Sequence, residues 1–189
     1  MKIKYNAPTV LTFTLLSAFI LLLSRTFFPN LCEYLFMVPG KGHFNILNLR
    51  NDITLFTHVL GHANWGHLIG NFTLILVVGP MLEENYGSFE LFIMIVITAF
   101  VTGVLNVIFF SSALMGASGV VFMMILLSSF TNFSKGEIPL TFILVLILYM
   151  GVQLLESIKS DNISQFAHIV GGLCGSFFGF LRQSERKKL

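Results

Sequence analysis

Apolar residues fall into six long blocks, at positions 8–28, 65–82, 89–110, 113–130, 138–155 and 163–181, with almost no charge inside any of them. Polar residues collect at the seams: Glu83-Glu84-Asn85, Ser111-Ser112, Lys135-Gly136-Glu137 and Lys159-Ser160-Asp161. About 20 apolar residues at 1.5 Å each are what a helix needs to cross a hydrocarbon layer roughly 30 Å thick. A backbone in that layer must satisfy its own hydrogen bonds, and the period-2 alternation of barrel strands is missing, so the blocks predict helices. The pattern as a whole predicts an all-α membrane protein with six transmembrane helices. Lys2 and Lys4 ahead of the first block imitate a secretory signal, but the block is about 21 residues long and has no small-x-small cleavage site, which predicts a retained span.

Composition narrows the class. At 55% hydrophobic and 11% charged, with mean hydropathy +0.84, the 189 residues do not suit a soluble fold. A net charge of +2 without a Lys/Arg patch outside the tail gives nucleic acid no footing, and Cys32 and Cys174 make no disulfide framework. If both termini share a side, Lys2, Lys4, Lys135, Arg182, Arg186, Lys187 and Lys188 lie there, against Arg25, Lys41, Arg50 and Lys159 opposite. The positive-inside rule then places both termini in the cytoplasm. Positions 29–64 are long for a bundle connection and have Phe36 and Trp65 near their margins, which predicts a structured first outer loop. There is no internal repeat, so residues 1–182 read as one membrane domain and 183–189 as a basic cytoplasmic tail.

Polar groups at depth are expensive unless paired or used, which makes them the informative positions. Three places carry them. The first runs from His58 through His62 and His67 to Asn71; at about 100° per residue, His67 and Asn71 lie roughly 40° apart on one helix face. His58 and His62 stand four apart, a zinc-ligand spacing, but Val59 occupies the place of the glutamate that a metalloprotease helix requires. The bland reading for His58 and His62 is that they tie the outer loop to the bundle by hydrogen bonds. The second place is Gly116-Ala117-Ser118-Gly119, where a serine flanked by glycines has the exposure of a nucleophile turn, although small residues in membrane helices more often serve packing.

The third place is in the sixth span. Relative to His168, Gly171, Gly175 and Gly179 fall at about 300°, 340° and 20°, so a groove without side chains runs down the face that bears the histidine. If the fourth helix packs there, Ser118 comes within reach of His168 and the pair can act as nucleophile and general base. Alternation of direction gives an independent check: the second, fourth and sixth spans run inward, which puts His67, Asn71, Ser118 and His168 in the outer half of the membrane. All nine acidic residues lie in loops, tails or span ends, so a Ser-His dyad is expected rather than a triad.

These residues resemble the rhomboid family of intramembrane serine proteases in its bacterial six-helix form. The resemblance runs from the first loop to the sixth span, through His62-x4-His67-x3-Asn71, Glu83 before Gly87-Ser88, Gly116-x-Ser118-Gly119 and Ala167-His168-x2-Gly171-x3-Gly175. It implies Ser118 as nucleophile, His168 as base, and an oxyanion site from His67, Asn71 and the Ser118 amide, with His62, Gly116, Gly119, Phe122, Gly171 and Gly175 in support. It implies no metal or other cofactor. The implied partners are the lipid bilayer and transmembrane protein substrates that enter past the second and fifth helices, cut in or beside a membrane helix on the outer side of a bacterial cytoplasmic membrane. Two positions depart from the family pattern: Phe122 stands where many members carry a tyrosine, and Thr54 where bacterial relatives often place an arginine that anchors the loop. A non-catalytic relative that binds membrane clients is the alternative, against which both Ser118 and His168 stand. A small transporter would spread its ionisable residues through the full depth.

Overall fold

The computed structural model describes residues 3–130, 140–145, 147 and 163–186. Its helices are α1 (Pro8–Thr26), α2 (Leu31–Leu35), α3 (Leu49–Thr57), α4 (Trp65–Tyr86), α5 (Ser88–Phe109), α6 (Ser118–Ser128), α7 (Leu140–Val145) and α8 (Ile163–Arg186), with a 3₁₀ turn at His58–Leu60. Among the described residues there is no strand, only an isolated antiparallel bridge between Val38 and Leu114. Among the described residues three helices, α1, α4 and α5, are long and apolar enough to cross a membrane. The expected fifth span, 138–155, is described only over α7 and at Ile147, and the rest lies outside the described residues. Helix α8 continues to Arg186, across the 182/183 boundary where the sequence sets off a basic tail.

The outward faces carry the membrane signature. On α5 the buried stripe contains Thr98, Thr102 and Asn106, while Phe92, Ile97, Phe100 and Phe109 point outward and exposed. An apolar exterior around a partly polar interior is the arrangement that lipid favours, because the polar side chains find partners only inside. Thr98 and Thr102 do so on their own helix, donating to Met94 O at 2.7 Å and Thr98 O at 2.8 Å.

The expected fourth span, 113–130, needs correction at its start: the helix begins at Ser118, not Ala113. The preceding stretch is pinned elsewhere. Val38 N donates to Leu114 O at 2.9 Å, Leu114 N to Val38 O at 3.0 Å, and Gly116 N to His58 O at 3.0 Å. Gly116 then turns at φ +129°, a conformation that side-chain-bearing residues rarely adopt. The helix that follows is apolar all round and every residue from Gly119 to Leu127 is buried, as expected of a helix enclosed by others on all sides.

Direction is fixed by pairwise contacts. A Cβ added at Gly171 would meet Gly119 O at 2.0 Å, and one at Gly175 would meet Met123 O at 2.2 Å. Both partners advance by four residues, so α6 and α8 run parallel, backbone against backbone. Helix α1 runs against α4: the Glu83 carboxylate, in the last turn of α4, accepts from Thr9 N at 2.8 Å and Val10 N at 3.0 Å in the first turn of α1. A buried carboxylate on the free amides of a helix start is favourable by charge and by hydrogen bonding together.

Candidate active site

The ends of the helices place the polar residues. Asn64 caps α4 by accepting from His67 N at 2.8 Å, which starts the helix just before His67 and Asn71 and holds them on its first two turns. Asn71 Nδ2 donates to His62 Nε2 at 3.1 Å, and His62 Nδ1 donates to Leu60 O at 3.3 Å, an arrangement that requires the neutral imidazole. His62 and His67 meet edge to face with ring centroids 5.0 Å apart. Gly116 closes over this group: a Cβ there would fall 2.7 Å from His67 Cε1, 2.8 Å from Nε2 and 3.9 Å from Asn71 Nδ2. The turn before Ser118 and the His67–Asn71 face of α4 are thus in direct contact.

The second half of the site is the α6–α8 seam. The Phe122 ring lies flat on the His168 imidazole, centroids 4.3 Å apart and planes 9° from parallel. Ser118 stands one helical turn before Phe122, and Gly119, the residue after the serine, touches α8 at Ala167 and Gly171 on either side of His168. The half-buried Ser118 is the first residue of α6, so its amide is among the N–H groups that a helix start leaves without an intrahelical acceptor. Phe122 holds the ring plane by stacking, and having no hydroxyl it supplies no hydrogen bond there. His62, His67, Asn71 and Gly116 therefore form one contiguous group, and Phe122, His168, Gly119 and Gly171 another. Ser118 links them through its neighbours in sequence, while Gly175 sits one turn further along the seam.

His58 does something the sequence only outlined. Its Nε2 donates to Ala99 O on α5 at 3.1 Å while its own carbonyl receives Gly116 N, so it ties the loop to α5 and to the serine turn at once. Burial pushes its imidazole down to about 4; burial first, then the neighbouring His67, push His62 down to about 4 as well. Both Nε2 atoms are engaged, that of His58 with Ala99 O and that of His62 with Asn71, while His58 Nδ1 is buried without a partner; among the described residues there is no group of three His, Cys, Asp or Glu placed to share a metal ion.

Thr54 is buried and donates to Asn51 O at 2.7 Å, so it anchors nothing beyond its own helix. Arg50 takes that task from one turn earlier. Its guanidinium lies 3.8 Å over the Tyr34 ring and donates to Tyr34 O and, at 3.5 Å, to Glu33 O. Arg25 donates to Ala63 O beside the start of α4. Neither partner leaves a signal in the sequence, since backbone carbonyls carry no residue identity.

Comparison with known proteins agrees with this architecture. The family model for the Rhomboid domain matches residues 50–185. Rhomboid protease GlpG of Haemophilus influenzae is 25% identical over 134 residues, 69% of this chain and 70% of its own length. RHOMBOID-like proteins 7 and 1 of Arabidopsis thaliana are 27% and 28% identical over 72% and 67% of this chain, which spans 44% and 33% of their lengths. A match that runs from the first turn of α3 to the end of α8 takes in both halves of the site, and the chain belongs to the rhomboid family.

Proposed function

We propose that this chain is an intramembrane serine endopeptidase with six membrane spans, both termini cytoplasmic and the site toward the outer face, acting on transmembrane proteins in or beside a helix. One observation carries the reading: the flat stack of Phe122 on His168 over a seam where Gly119 meets Gly171, which brings the start of α6 against the His168 face of α8. In this reading Ser118 Oγ attacks the scissile carbonyl carbon as a ring nitrogen of His168 takes its proton. The C–N bond then breaks, the leaving amine receives that proton, and water releases the acyl group from Ser118 by the same path. The oxyanion is held by His67, Asn71 and the Ser118 amide. Asn71 has one amide hydrogen engaged with His62 and a second left for this purpose.

The test is cleavage of a panel of single-span substrates by the reconstituted protein. Ser118→Ala and His168→Ala should each abolish turnover while far-UV dichroism and thermal unfolding stay close to wild type. Turnover in either folded variant would remove the dyad. Binding without cleavage by the wild type would favour a role in holding membrane clients.

A further inference from the structure

A crevice of about 370 Å³, half open to the outside, runs between α1, α5 and the 3₁₀ turn. Leu16 of α1 lies on one wall and Phe92, Ile95 and Val96 of α5 on the other, with Val59 and Leu60 across the end. We propose that this crevice is a binding site for one acyl chain of a bilayer phospholipid.

The walls are two of the helices long and apolar enough to cross a membrane, so the mouth faces hydrocarbon rather than water. Nothing inside would retain water. The side-chain hydroxyls that line it are those of Thr9 and Thr12; Thr9 Oγ1 donates to Ser88 O at 2.8 Å and Thr12 Oγ1 shares a hydrogen bond with Tyr5 Oη at 3.0 Å. A cavity holds water when two or more polar groups can bond it, and apolar cavities of about 150 Å³ stay dry and take up benzene, so this one has room for about a dozen carbons. Its shape fits a chain. It follows α1 from Pro8 to Leu16, about 12 Å of helix rise.

Occupancy would reach the rest of the molecule. The end of the crevice is the turn of His58–Leu60, whose first residue bonds Ala99 O and receives Gly116 N, and Phe56 stacks on Phe100 at 5.1 Å beside it. A chain packed under Val59 and Leu60 props the same turn that holds the start of the Ser118 segment. This inference does not depend on the protease reading.

The experiment uses detergent-purified protein stripped of lipid and titrated with a phosphatidylcholine that carries a photoactivatable diazirine on one acyl chain, with adducts mapped by mass spectrometry. Labelling at Leu16, Phe92, Ile95 and Val96 should saturate, and about a tenfold excess of unlabelled phosphatidylcholine should cut it about tenfold. Labelling at the exposed Ile69 and Val77 of α4 should rise without saturation. Val96→Trp, which fills the crevice, should lose the saturable labelling alone, and Leu16→Trp fills it from the other wall. The wild-type saturation curve decides the matter even if both variants fail to fold. Non-saturating labels at Leu16, Phe92, Ile95 and Val96, labels that persist in a folded Val96→Trp protein, or cross-links between two copies through the crevice would each overturn the proposal.

Discussion

Along α6 and α8 the contact is backbone on backbone: Gly119 against Gly171 and Met123 against Gly175, with no room for a methyl group at either. Along the segment 27–64 Val38, Leu55 and Val59 pack into the core, and the contact with the bundle also includes separate polar stitches, among them His58 to Ala99 O, the two bonds between Val38 and Leu114, Lys41 N to Phe110 O at 2.6 Å, and Arg25 to Ala63 O, while Arg50 on Tyr34 ties the segment to itself. Both seams bear on Ser118. The first is intolerant because close-packed backbones cannot absorb a displacement of a few tenths of an ångström without the helices parting. The polar stitches of the second are worth about 1 kcal/mol each, so one can be lost while the others hold.

The largest effect should come from breaking the first seam. Gly171→Leu must push α8 away from α6, lifting His168 off Phe122, and overpacking of this kind costs about 1–3 kcal/mol or more. We expect no detectable cleavage and a marked fall in thermal stability, measured on the same reconstituted sample. Gly171→Ala, with its Cβ 2.0 Å from Gly119 O, should show the same loss to a smaller degree. Wild-type activity in Gly171→Ala would mean that the seam is not close-packed in the membrane.

The glycine seam was legible from sequence because Gly171, Gly175 and Gly179 repeat every four residues on the His168 face, and helical periodicity is a local property. The spans formed by α1, α4 and α5 were legible for the same reason, since apolar length is counted along the chain. The true start of α6 was not. Residues 113–117 are as apolar as the helix that follows, and what keeps them out of it is the bridge to Val38 and the bond to His58 O, partners more than 50 positions away. Glu83 was singled out by resemblance, but that it closes the first turn of α1 is a contact across 73 and 74 positions that no pattern encodes. His67 and Asn71 were placed on one face by spacing alone. That Asn71 also bonds His62 depended on how residues 61–64 bend back over α4.

The next effect in size sharpens the contrast between chemistry and stitching, because Asn71 belongs to both. If its free amide hydrogen meets the oxyanion, Asn71→Ala should lower kcat about 10²-fold with a smaller change in KM. Loss of the bond to His62 should also lower stability by about 1–3 kcal/mol, since it leaves Nε2 of a fully buried ring without its partner. A normal kcat in a destabilised protein would confine Asn71 to the second seam.

Acid should loosen the stitched seam. His58 and His62 are held down at about 4 by burial, whereas in the unfolded chain they titrate near 6.5. Between those values the unfolded state binds more protons, so stability rises with pH across this window, is fully present above about 6.5, and is lost as pH falls toward 4. Thermal unfolding measured from about pH 7.5 to about 4.5 should show that slope, and His58→Gln, which keeps a donor for Ala99 O, should flatten part of it. A curve independent of pH over this range would mean that both rings are solvated.

The smallest effect should come from Arg50→Lys. Lysine keeps the charge and can remain over the Tyr34 ring, but it loses the planar fork that reaches Tyr34 O and Glu33 O together. Arg50 is partly exposed, and exposed cation contacts are worth about 0.5–1 kcal/mol, so the melting temperature should fall by only a few degrees. Cleavage at saturating substrate should be unchanged, because α3 is still held at the far end of the loop by His58 and the Val38–Leu114 bridge. Pairing Arg50→Lys with His58→Gln tests that redundancy directly. If the two losses in stability add, the stitches are independent. If the double variant loses far more than their sum, and loses cleavage with it, segment 27–64 acts as one cooperative unit and resembles the α6–α8 seam more than its separate bonds suggest.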